Sequence, residues 1–206
     1  MTQVNNLKRE EMYYTDDNND CIILKIVDRI DYMIIRHNKV LVMRFDAHFH
    51  DGYRHDGGNR EISLLMKSLA EACHDQGIDC HYVWVRERAS GSSNYHYHVV
   101  LVLDGNRIQN THDLLKRADA TWSNLLGGFA NRLHFCTQVR SGKTVPGGVM
   151  IRRPSSTAAG REKINQEQEF QARRAEAVYM ASYLAKNVTK EDQLPRRVRR
   201  YGSSEL

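Results

Sequence analysis

Two imidazoles two residues apart, His96 and His98, stand at the head of the apolar run 95–103 (YHYHVVLVL). In a strand, residues i and i+2 point to one face, so this pair has the geometry to chelate a divalent cation. Glu87 closes the preceding apolar run 80–87 (CHYVWVRE), and the Ser/Gly-rich stretch between the runs reads as a hairpin turn that returns its carboxylate toward His96. Two imidazoles and one carboxylate make three protein ligands and leave positions open for a substrate oxygen. A second His-x-His, His48-Phe49-His50, lies between Asp46 and Asp51 where the first apolar run enters a Gly-rich loop. Its spacing does not exclude it as a metal site. Because a hairpin holds side chains more rigidly than a loop, His96 and His98 are preferred, and His48, His50 and His55 read as a polar loop rim.

Further along, Tyr179 and Tyr183 are four residues apart in a helical pattern, and Lys186 follows Tyr183 by three. On a helix this spacing puts both phenols and the ammonium on one side. A phenol with a pKa near 10 is a poor nucleophile at neutral pH unless a cation stands beside it. Lys186, or a bound metal ion, could supply that charge.

The elements that must position these groups follow from periodicity. Residues 1–19 are polar and carry no sustained period, so they read as a flexible leader ahead of a single domain spanning 20–206. Ile22, Ile23, Ile26, Val27, Ile30, Met33 and Ile34 recur at helical spacing. Residues 40–50 read as a strand, 51–59 as a loop and 60–77 as a helix stopped at Gly77. The two runs around Glu87 and His96 form the hairpin. Thr111 caps a helix to about Leu126, and 132–139 reads as another strand. The order β-α-β-β-α-β across 40–139 is that of the ferredoxin-like α+β arrangement, an antiparallel sheet with both helices on one face. Residues 148–152 add a short strand, and 162–189 read as a long tyrosine-bearing helix. Trp84 and Trp122 fall at apolar positions of the core.

Composition limits what such a domain does. At 206 residues, with 41% hydrophobic and 27% charged residues, the chain folds around a real core. No run reaches the length of a membrane span, and the first residues lack the apolar core of a signal peptide, so a cytoplasmic, membrane-free protein is expected. Cys21, Cys73, Cys80 and Cys136 are dispersed, as buried thiols are, rather than paired as structural zinc ligands. The net charge of +5 is uneven: residues 1–139 hold 16 Lys+Arg against 18 Asp+Glu, and residues 140–206 hold 14 against 7. A basic surplus confined to one segment points to a polyanion.

His96-Tyr97-His98 in a strand, the upstream Glu87 and the later Tyr179-x-x-x-Tyr183-x-x-Lys186 together resemble the HUH endonuclease superfamily of rolling-circle replication initiators. More closely, the chain resembles inovirus-type replication proteins and their prophage-encoded relatives. Met43-Arg44-Phe45-Asp46 is similar to their first-strand motif, and Arg197-Val-Arg-Arg-Tyr201-Gly-Ser-Ser to their basic, aromatic-Gly-x-Ser ending.

The resemblance implies nicking of single-stranded DNA. Mg²⁺ or Mn²⁺ on His96, His98 and Glu87 would polarise the scissile phosphate. Tyr183 would attack to give a 5′-phosphotyrosine, with Tyr179 as a second nucleophile in rejoining and Lys186 steadying the phenolate or phosphate. Ser182 stands where two-tyrosine members often carry Lys, which favours Tyr183. Arg152, Arg153, Arg196, Arg197, Arg199 and Arg200, with Tyr201 stacking on a base, would bind DNA. No helicase motif or phosphate loop occurs, so strand separation and synthesis would fall to a host helicase and polymerase. The rival readings are a catalytically inactive DNA-binding or regulatory protein of the same fold, and an RNA-binding sheet that stacks bases on Tyr82, Tyr95 and Tyr97.

Overall fold

The computed structural model describes residues 20–88, 95–108, 112–128, 132–140, 143–146, 148–186 and 198–206. The expected leader, residues 1–19, lies outside these. The elements run α1 (Asp20–Arg36), β1 (Lys39–His48), α2 (Arg60–Asp75), β2 (Cys80–Glu87), β3 (His96–Asp104), α3 (His112–Leu125), β4 (Leu133–Phe135), β5 (Thr137–Arg140), β6 (Lys143–Pro146), β7 (Gly148–Arg152), α4 (Gly160–Ser182) and β8 (Tyr201–Ser203). A 3-10 turn, Tyr183–Ala185, continues directly from α4.

Six strands form one antiparallel sheet in the order β4-β1-β3-β2-β8, with β7 also pairing β1 beside β4; β5 and β6 make a separate hairpin. The strand order 4-1-3-2 at its centre is the ferredoxin-like core read from the sequence. β7 and β8 extend it at its two edges.

Side-chain parity decides which helices cover which face. Leu41, Met43, Phe45 and Ala47 of β1, with Tyr97, Val99, Leu101 and Leu103 of β3, pack under α2 and α3. Val40 and Val42, with Val83, Val85, Val100 and Val102, pack instead under α1 and α4. The central strands are therefore buried on both faces, which explains why they read as near-continuous apolar runs. Each fully buried Ile or Val contributes roughly 1.5–3 kcal/mol, and α1 buries Ile22, Ile23, Ile26 and Ile30 to 1% exposure or less. Trp84 and Trp122 are both in the core, as expected.

Three boundaries differ from the sequence reading. The single strand at 132–139 is two, β4 and β5, broken at Cys136, and β6 follows in a stretch to which the sequence assigned no strand. The last helix ends at Ser182 rather than near 189, because its final turn tightens to 3-10 geometry. The Tyr201–Ser203 segment, read as part of a DNA-binding tail, is an edge strand on β2. Its backbone pairs with Val83, Trp84 and Val85, and Arg29 donates to Ser203 Oγ (3.0 Å) and to the Ser204 carbonyl. No helix among the described residues is long and apolar enough to cross a membrane.

Candidate active site

On the face covered by α1 and α4, alternation turns polar toward one end of the sheet. β1 continues past Val40 and Val42 with Arg44, Asp46 and His48. β3 begins with His96 and His98 before Val100, and β2 finishes with Glu87 after Val83 and Val85. Register completes the juxtaposition: His98 lies opposite Asp46 on one side and Val85 on the other, while His96 lies between His48 and Glu87. Three adjacent antiparallel strands thus deliver six chemically active side chains to one end of one face.

Ligand atoms of Glu87, His96 and His98 all lie within 4.8 Å of one another. His98 Nε2 is in hydrogen-bond contact with Glu87 Oε2, and His96 Nε2 is 3.7 Å from the same oxygen. On its other side His98 Nδ1 meets Asp46 Oδ1 at 2.6 Å. This carboxylate-histidine arrangement fixes the tautomer. With Nδ1–H donated to Asp46, Nε2 presents a lone pair to another carboxylate, and that approach requires either a proton or a cation between them. The donor set therefore fits a divalent ion that accepts both imidazole and carboxylate.

Electrostatics follow from burial and these contacts. Burial, reinforced by the charge of His98, pushes His96 down to about 4. Burial also pulls on His98, but the hydrogen bonds to Asp46 and Glu87 outweigh it and its pKa is raised. Asp46 feels a burial penalty too, and His98 and Arg44 overcome it so that its carboxyl titrates below its ordinary value. His96 is thus held in its neutral form near pH 7, while its carboxylate partners favour the protonated form of His98.

Tyr183 stands beside this cluster. Its ring lies edge-on to His98, 5.3 Å between centroids, with the Arg44 guanidinium 4.1 Å and Lys186 Nζ 4.7 Å from the ring centre. Arg44 is itself held by donating Nε to Cys136 Sγ at 2.9 Å. The end of α4 sets this position: Ala177, Val178, Ala181 and Leu184 bury against the sheet and leave the half-buried Tyr183 facing the strand ends. Tyr179, one turn earlier, is 46% exposed. Of the two tyrosines, Tyr183 is the one brought against His98, and Lys186 stays with it.

The arginines separate. Arg152 pairs in register with Lys39, at the opposite end of β1 from His48, so Arg152 and Arg153 do not share a channel with the histidines. Arg199 and Arg200 lead into β8, where their carbonyls accept from Asn59 Nδ2 (2.9 Å) and the Arg86 backbone N–H (2.8 Å). Tyr201 packs half-buried against the apolar cluster on the α1/α4 face. Arg196 and Arg197 lie outside the described residues.

Sequence reasoning missed three contributors. Asp46 was noted only as part of a motif and as a flank of the other His-x-His, although its even-numbered place beside Arg44 and His48 on a strand signals the same face. Arg44 carries the same signal. His48, read as loop rim, is the last residue of β1; its ring stacks on that of His96 at 5.1 Å, and its carbonyl accepts from Trp122 Nε1 at 2.8 Å. His55 also departs from the rim reading, its side chain being 4% exposed and wedged among Phe49, Tyr53 and Tyr95. His55, Asp56 and Glu61 form a second group of close donors. Its imidazole Nδ1 accepts from the Gly57 N–H at 2.8 Å, however, so the neutral ring carries its proton on the nitrogen that faces Glu61 and has no lone pair to offer there. The sheet face bearing Tyr82 and Tyr97 is covered by α2 and α3, and Tyr97 is fully buried, so that face is no platform for stacking RNA bases.

A family model, the YagK/YfjJ C-terminal domain, matches residues 1–204, and the chain belongs to that family. No curated protein and no solved structure matches the sequence significantly.

Proposed function

We propose that this YagK/YfjJ-domain protein is a metal-dependent nuclease that nicks and rejoins single-stranded DNA through a tyrosine ester, in the manner of the HUH replication initiators it resembles. The observation that carries the reading is the position of Tyr183, edge-on to His98 and flanked by Arg44 and Lys186, beside three potential ligands within 4.8 Å of one another.

His96, His98 and Glu87 would hold the ion, which supplies Lewis-acid polarisation of the scissile phosphate when bound. The protein's own groups do the rest. Asp46 keeps the His98 ring oriented with Nε2 inward. The Tyr183 hydroxyl gives up its proton and its oxygen bonds to phosphorus. The bond from phosphorus to the 3′ oxygen breaks, and that oxygen takes up a proton to leave as a free 3′-hydroxyl. The phosphate stays esterified to Tyr183 at the 5′ end, and attack by a 3′-hydroxyl on that ester reverses the sequence and joins strands. Arg44 and Lys186 favour the phenolate and the pentacovalent phosphorus by placing two positive charges against them. Tyr179, 46% exposed one turn earlier on the same helix, would be the second nucleophile in rejoining. The reading sets the protein in the cytoplasm on phage-type origin DNA, with a host helicase and polymerase supplying strand separation and synthesis.

Incubation with circular single-stranded DNA and Mn²⁺, followed by denaturing electrophoresis, tests it. A covalent protein-DNA adduct is expected that Tyr183→Phe abolishes and Tyr179→Phe retains. Absence of any adduct over a range of origin sequences, or an adduct unchanged by Tyr183→Phe, overturns it.

A further inference from the structure

All four cysteines are in the thiol form, and two of them meet. Cys73 sits on the sheet-facing side of α2 with Ile62, Leu65, Met66 and Leu69, and is 1% exposed. Cys80 opens β2, and its parity with Tyr82 and Trp84 turns its side chain to the α2/α3 face, where it packs against the cluster that contains Cys73. The two thiols hydrogen-bond to each other. The backbone between them is pinned throughout. The N–H groups of Gln76 and Ile78 both donate to the Cys73 carbonyl (3.1 and 2.8 Å), Gly77 turns the chain at φ +63°, and the Asp79 carboxylate accepts from Arg36 (3.1 Å) and contacts His37 (2.8 Å). The stop of a helix and the start of a strand therefore hold the sulfurs together.

Two properties distinguish this pair from inert buried thiols. Cys80 is only partly buried and borders a cleft of about 360 Å³ beside Ala70, His74 and Asp79, which gives a small molecule a path to its sulfur. The hydrogen bond between the thiols lowers Cys73 and raises Cys80, so one proton leaves the pair more readily than it leaves a lone thiol and the other is retained between the sulfurs. Passage of that retained proton to Cys73 puts the charge on the reachable sulfur. The remaining cysteines are placed differently: Cys21 is exposed at the start of α1, and burial pushes the Cys136 thiol up to about 11.

We propose that Cys73 and Cys80 form a reversible modification site, a dithiol that a low-molecular-weight disulfide oxidises to an intramolecular disulfide stapling the end of α2 to the start of β2. The Cys80 thiolate attacks one sulfur of the small disulfide, whose S–S bond breaks, and the departing thiolate takes up the proton that Cys80 lost. Cys73 then gives up its proton and attacks the Cys80 sulfur of the mixed disulfide, and the second small thiol leaves with that proton. Two protein thiols are oxidised, and one small disulfide is reduced to two thiols. In a reducing compartment exchange with small thiols opens the bond again, so the pair follows the redox state around it instead of forming a permanent cross-link. The site lies at the opposite end of β2 from Glu87 and stands independently of the function proposed above.

The test uses full-length protein carrying Cys21→Ser, kept native and treated with oxidised glutathione. Trypsin cuts after Lys67 and Arg86, so both cysteines fall in one peptide, 68–86. By mass spectrometry that peptide is expected to lose two hydrogen atoms, to carry no glutathione, and to regain both hydrogens with dithiothreitol. Cys73→Ala should stop at a glutathione adduct on Cys80, and Cys80→Ala should leave Cys73 unmodified. Closing the short loop 73–80 should also raise Tm by about 5–10 °C over the reduced form. Recovery of peptide 68–86 with both thiols free, glutathione retained on Cys80 while Cys73 is present, or an oxidised form that melts no higher than the reduced one overturns the proposal. The peptide map of the parent protein decides the matter even where a cysteine variant fails to fold.

Discussion

Asp46→Asn isolates the contribution of a single charge to the site. The substitution is nearly isosteric at a position 8% exposed, so packing is preserved, and the amide oxygen still accepts from His98 Nδ1. What disappears is the negative charge behind the imidazole. A hydrogen bond to a charged partner contributes about 1.5–3 kcal/mol and a neutral one about 0.5–1.5, so roughly 1–1.5 kcal/mol of ring orientation and basicity is lost. At 1.4 kcal/mol per decade this weakens a divalent ion held through His98 Nε2 by about five- to twelve-fold, at the lower end of the 10–100-fold range for such supporting carboxylates. Titration of Mn²⁺ by calorimetry at constant pH reads this directly, with circular dichroism confirming an intact fold. Asp46→Ala, which leaves the buried N–H without an acceptor, should weaken binding further. If Asp46→Asn binds Mn²⁺ within twofold of wild type while Glu87→Gln abolishes binding, then Asp46 does not support the ligand.

Three more outcomes follow from the same geometry and from the tail. His96, held near pKa 4, is neutral at pH 6, whereas His98, raised above 6.5, still carries its proton. Binding of Mn²⁺ at pH 6 should therefore release close to one proton, measured from calorimetry in buffers of different ionisation enthalpy; two protons would refute the assignment for His96 and none that for His98. In the metal-free protein these shifts act in opposite directions: stability tied to His98 is complete below about 6.5 and lost as pH rises through its folded value, and stability tied to His96 is present above about 6.5 and lost as pH falls toward 4. Gly202 lies flat on the Trp84 indole, where an added Cβ would come within 2.6 Å of Cε2 and Cζ2 and 2.8 Å of Nε1. Gly202→Ala should cost about 1–3 kcal/mol, a fall in Tm of about 2–12 °C in a thermal melt, and an unchanged Tm would show that β8 is dispensable.

How far the sequence disclosed this site depends on how local each relation is. The His96/His98 parity and the pairing of Glu87 with His96 arise within one hairpin, where alternation and a short connection suffice. Asp46 and Arg44 join through β1/β3 pairing across some fifty residues, so their parity was visible but their neighbours were not. Arg152 and Arg153 are near Tyr183 in sequence, yet the β7/β1 register carries them to the other end of the sheet, a placement no charge count reveals. The β8 strand is three residues long and half-buried; it has no pattern of its own, and its Arg-rich approach outweighed it. The 3-10 ending of α4 has no side-chain cap to announce it, which is why the helix was read too long.

The strand register also makes the site all-or-none. Since side chains on a strand alternate faces, a one-residue slip of β2 against β3 would not displace Glu87 by a fraction of an ångström; it would send it through the sheet to the α2/α3 side, and Trp84 into the space now filled by Val83 and Val85. A chain that pairs its strands wrongly thus cannot retain a weakened version of the donor cluster. Under the proposed function, assembly of the three donors would act as a built-in proofreading step, in which an ion would be held only by molecules whose central hairpin has folded in the correct phase.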